Sequence, residues 1–131
     1  IVVCEFPLLP CIEYFAVWES FDKVIFDVHE NYIKQSYRNR CIILGANGPL
    51  ALTVPVRHTA PKIPFHEVLI DNSISWQRPF WNGENDHFVP VVYQQNFGSE
   101  FVPNLSILDL IFCEGPNTLH IIKKSSVKWP Y

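Results

Sequence analysis

Hydrophobic and polar positions divide the chain into short segments. Ile1–Cys4 is a β-branched run, followed by the proline-bracketed loop Glu5-Phe6-Pro7-Leu8-Leu9-Pro10. Cys11–Phe21 places Ile12, Phe15, Ala16 and Trp18 at helical spacing. Lys23–His29, with Val24, Ile25, Phe26 and Val28, reads as a strand. Strand, loop, helix and strand in that order open a βαβ unit, with two parallel strands and the helix across them. Arg40–Leu44 and Leu50–Val56 are two further apolar strands joined by Gly45-Ala46-Asn47-Gly48-Pro49. Asn-Gly supplies the positive φ of a tight reversal, which predicts a β-hairpin. Pro55 marks a strand end or an edge.

The remainder is less regular. Two prolines make His58–Pro64 a loop, Phe65–Ile70 has the composition of a short strand, and Asn72–Trp81 is expected to open a helix at Ser73 or Ser75. Asn82–Asp86 (NGEND) is a hydrophilic break, and Phe88–Gln95 reads as an irregular extended piece. Asn104 is the expected N-cap of a helix Leu105–Glu114, with Gly115 and Pro116 to end it. Asn117 is expected to cap a last turn, Thr118–Lys123, and the polar tail Ser125–Tyr131 to fray. The fold class is α/β: a mixed sheet opening with a βαβ unit, plus a β-hairpin and a C-terminal helix.

Composition narrows the class. With 131 residues, 48% hydrophobic and 18% charged, the chain can bury one core and is not of the disordered type. A net charge of −3 without a dense basic patch argues against nucleic acid as a partner. The longest apolar runs, Cys41–Leu44 and Ile107–Cys113, are far shorter than the roughly 20 residues of a membrane span. No charged segment leads into an apolar run and a cleavage site, so a cytoplasmic location is expected. The chain contains no Met and begins with Ile, so its length is expected to be a lower bound. Cys4, Cys11, Cys41 and Cys113 form no C-x-x-C pair and read as reduced, buried hydrophobes. The histidines at 29, 58, 66, 87 and 120 are scattered singly, so no metal and no cofactor are expected.

Candidate chemistry concentrates in HENYIKQSYRNR, residues 29–40, which follows the carboxyl end of a strand. In an extended conformation, Lys34, Ser36, Arg38 and Arg40 would share one face. Such a face of cations and a hydroxyl suits a phosphate or another anionic small molecule. The plainer alternative is a solvated strand edge or helix surface. His29 is a candidate general base, oriented by Glu30 or Asp27. It reads equally as a strand-end histidine bonded to a backbone carbonyl. Glu5 occupies the corresponding place on the first strand, and His58 lies on a loop able to face the same cleft. Trp76, Gln77, Arg78 and Trp81 suit stacking on a sugar or base, or simply core packing. Phosphate-cradling glycine loops and a nucleophile elbow are absent.

HENYIKQSYRNRC followed by NGPLALTVPV resembles the WbqC-like family, and the match continues through Asp71, Trp76 and Trp81. FVPNLSILDLIFCEGPNTL is similar to that family's C-terminal segment. Lys34, Ser36, Asn39 and Arg40 match positions typical of the family, while Arg38 is at a more variable one. Two departures stand out. Family members carry a largely helical middle where this chain has Asn82–Asp86. Their N-terminal loop also has an aromatic and an amide or His before the second proline, where this chain has Leu8 and Pro7. The domain organisation implied is an α/β core at 1–81 with its polar site stretch at 29–40. A gap or deletion at 82–87 follows, and then a C-terminal segment at 88–131 whose helix packs on the core or on the missing helical region.

The resemblance implies bacterial surface-polysaccharide biosynthesis of the O-antigen type. The expected reaction is transfer of an aminoacyl group, glycine in particular, to a nucleotide-linked amino sugar. His29 and Ser36 are then the catalytic candidates. Lys34, Arg38, Asn39, Arg40, Glu5 and His58 are the substrate-binding ones, and the nucleotide sugar is the partner. A non-catalytic nucleotide or sugar-nucleotide binder, or a structural partner protein, remains the alternative from the same residues.

Overall fold

The computed structural model describes residues 1–34, 36–57, 62–73 and 87–128. Strands β1 (Val2–Glu5) and β2 (Val24–Asp27) pair in parallel, from Val2↔Val24 to Glu5↔Asp27. Helix α1 (Ile12–Glu19) connects them, so the chain opens with the expected βαβ unit. Both strands alternate, Val2, Cys4, Val24 and Phe26 turning inward while Val3 and Ile25 stay exposed. Strands β3 (Arg40–Gly45) and β4 (Gly48–Thr53) form the predicted hairpin, in register from Arg40↔Thr53 to Gly45↔Gly48. Its positive φ falls on Gly48, at +106°, and not on Asn47. A glycine accepts that conformation without the clash a Cβ would bring. Two short ladders complete the strands: β5 (Val56–Arg57) with β6 (Leu69–Ile70), and β7 (Phe88–Val89) with β8 (Ser126–Val127). The α/β class holds, with the parallel and antiparallel pairs as separate two-stranded ladders.

One core joins the two ends of the chain. Ile12 and Ala16 of α1 pack with Phe88, Tyr93, Ile107 and Leu110, and with Ile121 and Ile122. Ile107 and Leu110 lie on α2 (Ile107–Glu114), Ile121 and Ile122 on α3 (Thr118–Lys124). A second cluster sets Ile42, Leu44 and Ala51 of the hairpin around Leu105, which has no exposed surface.

The segment just before α2 connects everything. Ile12 N donates to Leu105 O at 3.0 Å, Ser106 N to Ile42 O at 2.6 Å, and Ile107 N to Pro10 O at 2.8 Å. Ser106 Oγ donates to Leu9 O at 2.9 Å. Asp109 extends the same link: its carboxylate accepts from Leu44 N at 3.1 Å and from the Tyr93 hydroxyl at 2.9 Å. A buried carboxylate without a cation is tolerable on these terms, because its lone pairs are occupied by donors.

Several sequence expectations change here. The N-cap of α2 is Ser106, whose Oγ accepts from Leu108 N, and not Asn104. Asn104, at φ +56°, turns instead to the first turn of α1. Its Oδ1 accepts from Glu13 N at 3.1 Å and its Nδ2 donates to the Glu13 carboxylate at 2.9 Å. It therefore caps a helix 91 residues away. Asn117 stands at the start of α3, but its amide donates to Glu114. Phe65–Glu67 is a 3-10 turn closed by bonds to Pro64 and Phe65 carbonyls, leaving only Leu69 and Ile70 to pair as a strand. The tail is not frayed as far as Lys128: Ser125 is buried, β8 pairs with β7, and Lys128 N donates to His87 O at 2.7 Å. The hydrophilic break at 82–86 and the helix expected beyond Ser73 lie outside the described residues.

Among the described residues no helix is long and apolar enough to cross a membrane. All four cysteines are free, with Cys11 and Cys41 buried. Burial pushes the Cys11 thiol up to about 11 from an ordinary 9.0.

Leu105→Ala should cost about 2–5 kcal/mol in chemical denaturation, as expected for emptying a fully enclosed leucine site. A change within 1 kcal/mol, on that same scale, would contradict the junction role. The buried thiol makes a second prediction. Its folded form ionises later than its unfolded form, so the stability it contributes is present below pH 9 and lost as pH climbs toward 11. Over that window, urea unfolding of the native chain should lose on the order of 2 kcal/mol more than unfolding of Cys11→Ala.

Candidate functional site

The carboxyl ends of β1 and β2 lie side by side, and in open α/β arrangements that end is where ligands bind. Glu5 closes β1 directly opposite Asp27, which closes β2. The chain beyond β2 is not extended: residues 36–39 form bends and turns, so the single cationic face expected of Lys34, Ser36, Arg38 and Arg40 does not form. The hydrogen bonds show why. Ser36 Oγ donates to Ile33 O at 2.7 Å, Asn39 N reaches Ser36 O, and Leu8 N donates to Tyr37 O at 2.7 Å. These bonds curl the segment back on itself and tie it to the loop after β1.

Arg38 is the buried centre of this curl, with 1% of its side chain exposed. Its Nε donates to Glu30 Oε1 at 3.1 Å, and Nη2 lies 2.6 Å from the same oxygen. Nη2 also approaches Glu5 Oε1 at 3.3 Å, a contact of charge and not a well-directed hydrogen bond. Nη1 reaches Ser36 Oγ at 3.5 Å. A guanidinium removed from water needs such partners; two carboxylates offset its charge, while Nη2 makes no well-directed hydrogen bond. Arg38 thus joins the end of β1 to the loop after β2, and its charge faces protein carboxylates.

The other candidates separate into two groups. Asn39 and Arg40 belong to the open end of the hairpin. Asn39 is buried, its Nδ2 donating to Val54 O at 2.9 Å while Val54 N donates to Asn39 O. Arg40 begins β3 opposite Thr53 and is half-buried. Lys34 is exposed in a turn. His29 is exposed at the mouth, and the carboxylates expected to orient its ring do otherwise: Glu30 holds Arg38, and Asp27 accepts from the backbone N–H of His29 at 3.0 Å. His58 and the Trp76–Trp81 block lie outside the described residues.

One residue at this mouth was not singled out from sequence. His66 stands against His29 with ring centroids 5.1 Å apart and planes at 73°. A strap of backbone bonds brings it there: Phe65 N to Glu30 O, Tyr32 N to Ile63 O, both at 2.8 Å, and a bridge between Asn31 and Pro64. Phe6 braces the same mouth from within, packing on Phe26 and on Phe65. The carbonyl expected for a strand-end histidine is there, but His66 takes it, its Nδ1 lying 3.0 Å from Val28 O. A histidine and glutamate directly after a proline-rich loop were the only signal. Around the mouth, burial and then the charge of Glu5 push the Tyr14 phenol up to about 12. Burial also raises Tyr32, with Arg40 and then Arg38 opposing. Among the described residues no three His, Cys, Asp or Glu side chains gather as metal ligands.

The family model of the WbqC-like proteins matches residues 7–87 and 83–121. The chain belongs to the WbqC-like protein family. The matched span begins after Glu5, includes Arg38 with Glu30, the imidazole pair and the hairpin, and ends within α3. No curated protein and no solved structure matches the chain.

The clamp ranks its own variants. Glu30→Gln should destabilise more than Glu5→Gln, since Glu30 makes the shorter and more buried contact. Arg38→Ala should cost about 1.5–3 kcal/mol, the range for hydrogen bonds to charged groups, and Arg38→Lys should recover little of it. Thermal and urea unfolding of the four variants checks the order; a neutral Arg38→Ala would refute the clamp.

Proposed function

We propose that this WbqC-like protein acts in bacterial surface-polysaccharide biosynthesis of the O-antigen type. Its reaction is transfer of an aminoacyl group, glycine in particular, from an activated donor to the amine of a nucleotide-linked amino sugar. The observation that carries the reading is the pair of imidazoles, His29 and His66, exposed at the carboxyl end of a parallel strand pair. Acyl transfer to an amine needs a base near neutrality at a solvent-accessible mouth, and imidazole is the side chain suited to it.

In the step itself, the amine nitrogen attacks the acyl carbonyl and a C–N bond forms. The bond from that carbonyl to the donor's leaving group breaks, and the leaving group departs with the electron pair. The proton lost by the amine goes to an imidazole, for which His29 was the candidate from sequence, and from there to the leaving group. In this reading Lys34, exposed, and Arg40, half-buried at the head of β3, are the cations that would meet the diphosphate. Arg38 serves by holding Glu5 and Glu30. Ser36 and Asn39 donate to Ile33 O and Val54 O, and in this reading their part is to shape the loop.

Incubation with a panel of nucleotide-linked amino sugars and a glycyl thioester should add one glycyl unit to a member of the panel, read by mass spectrometry. Arg40→Ala should raise KM for that substrate roughly tenfold or more, the loss of one charge-assisted contact. A panel that binds without turnover would replace transfer by simple sugar-nucleotide binding. A panel that neither binds nor reacts would end both readings.

A further inference from the structure

We infer that His66 is the general base of the proposed transfer and that His29 is its neighbour on the substrate side. This rests on the transfer reading above and names the residue that carries out its proton step. Three observations point to it. The His66 Nδ1 lies 3.0 Å from Val28 O, a carbonyl that can only accept, so Nδ1 carries the proton. Nε2 is then left with its lone pair free to take a proton from substrate. Second, Glu67 Oε1 stands 3.8 Å from that Nε2, beyond hydrogen-bond distance, so it leaves that nitrogen open to substrate. Third, the ring is 45% exposed by side chain, so substrate can reach it.

Among the described residues nothing fixes the His29 ring in the same way. It makes the backbone bond to Asp27 and the edge-to-face contact with His66. The arrangement resembles the logic of a catalytic histidine whose tautomer is set by one acceptor while the opposite nitrogen works. Here the acceptor is a main-chain carbonyl at the end of β2, and the histidine is delivered by the strap of bonds between residues 30–32 and 63–65. Among the described residues, the charged and titratable groups near the ring are Glu67 on its own turn and His29 in edge-to-face contact, with Asp27 and Glu30 flanking Val28 and His29 in the chain.

The test compares the native chain with His66→Gln and His29→Gln. Glycyl transfer is followed against pH, and side-chain tautomers are assigned by long-range nitrogen–proton correlation NMR. His66→Gln should lower kcat by about 10²–10⁴-fold with KM and the unfolding midpoint unchanged, and should abolish the acid limb of the pH profile. His29→Gln should raise KM and retain that limb. His66 should be found in its Nδ1–H form. A His66→Gln chain with kcat within a few-fold of native, or with the acid limb intact, overturns the assignment. If the native chain transfers nothing to any amino sugar, the transfer reading fails separately. The tautomer then decides for His66 alone: the Nε2–H form overturns its fixed orientation, and the Nδ1–H form upholds it.

Discussion

Most of this structure hangs on four residues, Asn104 to Ile107. They donate or accept hydrogen bonds to the loop after β1, to the first turn of α1 and to the middle of β3. The parallel pair and the hairpin share no ladder, so a sheet does not hold them together. The Leu105 side chain in the hairpin's cluster and the Ser106 backbone against Ile42 do that instead. The conformational cost is visible in two non-glycine residues with positive φ, Leu9 at +47° and Asn104 at +56°. Asparagine visits that region readily, whereas leucine there is strained by about 1–2 kcal/mol. Leu9 holds the conformation because the Ser106 hydroxyl bonds its carbonyl and the flanking Pro10 carbonyl is bonded by Ile107.

With that junction in place, the mouth of the βαβ unit can be built from loops. Loops remote from regular ladders keep their shape only where backbone groups find partners. Here the partners are each other. Leu8 bonds Tyr37, Phe65 bonds Glu30 and Tyr32 bonds Ile63, while Arg38 sets one positive charge between the two carboxylates the curl brings together. A buried ion pair is weak evidence for stability against a well-packed apolar substitute. Its effect is geometric: Arg38 accepts one arrangement of Glu5 and Glu30, so it selects one path for residues 30–38.

This explains which parts of the molecule were legible in the sequence. Local periodicity and punctuation were enough for the βαβ opening, the hairpin around Asn47-Gly48 and a helix closed by Gly115 and Pro116. Each of those signals lies within a few residues of the element it specifies. What sequence missed is non-local. Asn104 is a good capping residue placed two positions before the N-cap of a helix, and nothing nearby reveals that it caps α1 instead. Ser126 and Val127 look like a loose tail until Phe88 and Val89 offer them a strand. Alternation assigned Lys34 to Arg40 a shared face, but alternation presumes extension, and Ser36 bonding back to Ile33 removes it. The family resemblance was legible because it rests on residue order, which needs no geometry.

The same distinction reverses the expected polarity of the site. Counted along the chain, residues 34–40 carry three cations and suggest a surface for anions. Folded, the most buried of the three meets Glu30 and Glu5, and only Lys34 and Arg40 keep charge available for a ligand. What the mouth itself presents is imidazole, from residues 37 positions apart that backbone bonding brings edge to face. Under the proposed transfer, a site of that composition suits a substrate combining an amine with a remote diphosphate better than a bare anion. In that proposal imidazole would take the proton of the amine, and the two cations would hold the far end. The curl at residues 36–39 withdraws one arginine from the surface, and the bonds of residues 30–32 to residues 63–65 bring His66 to His29.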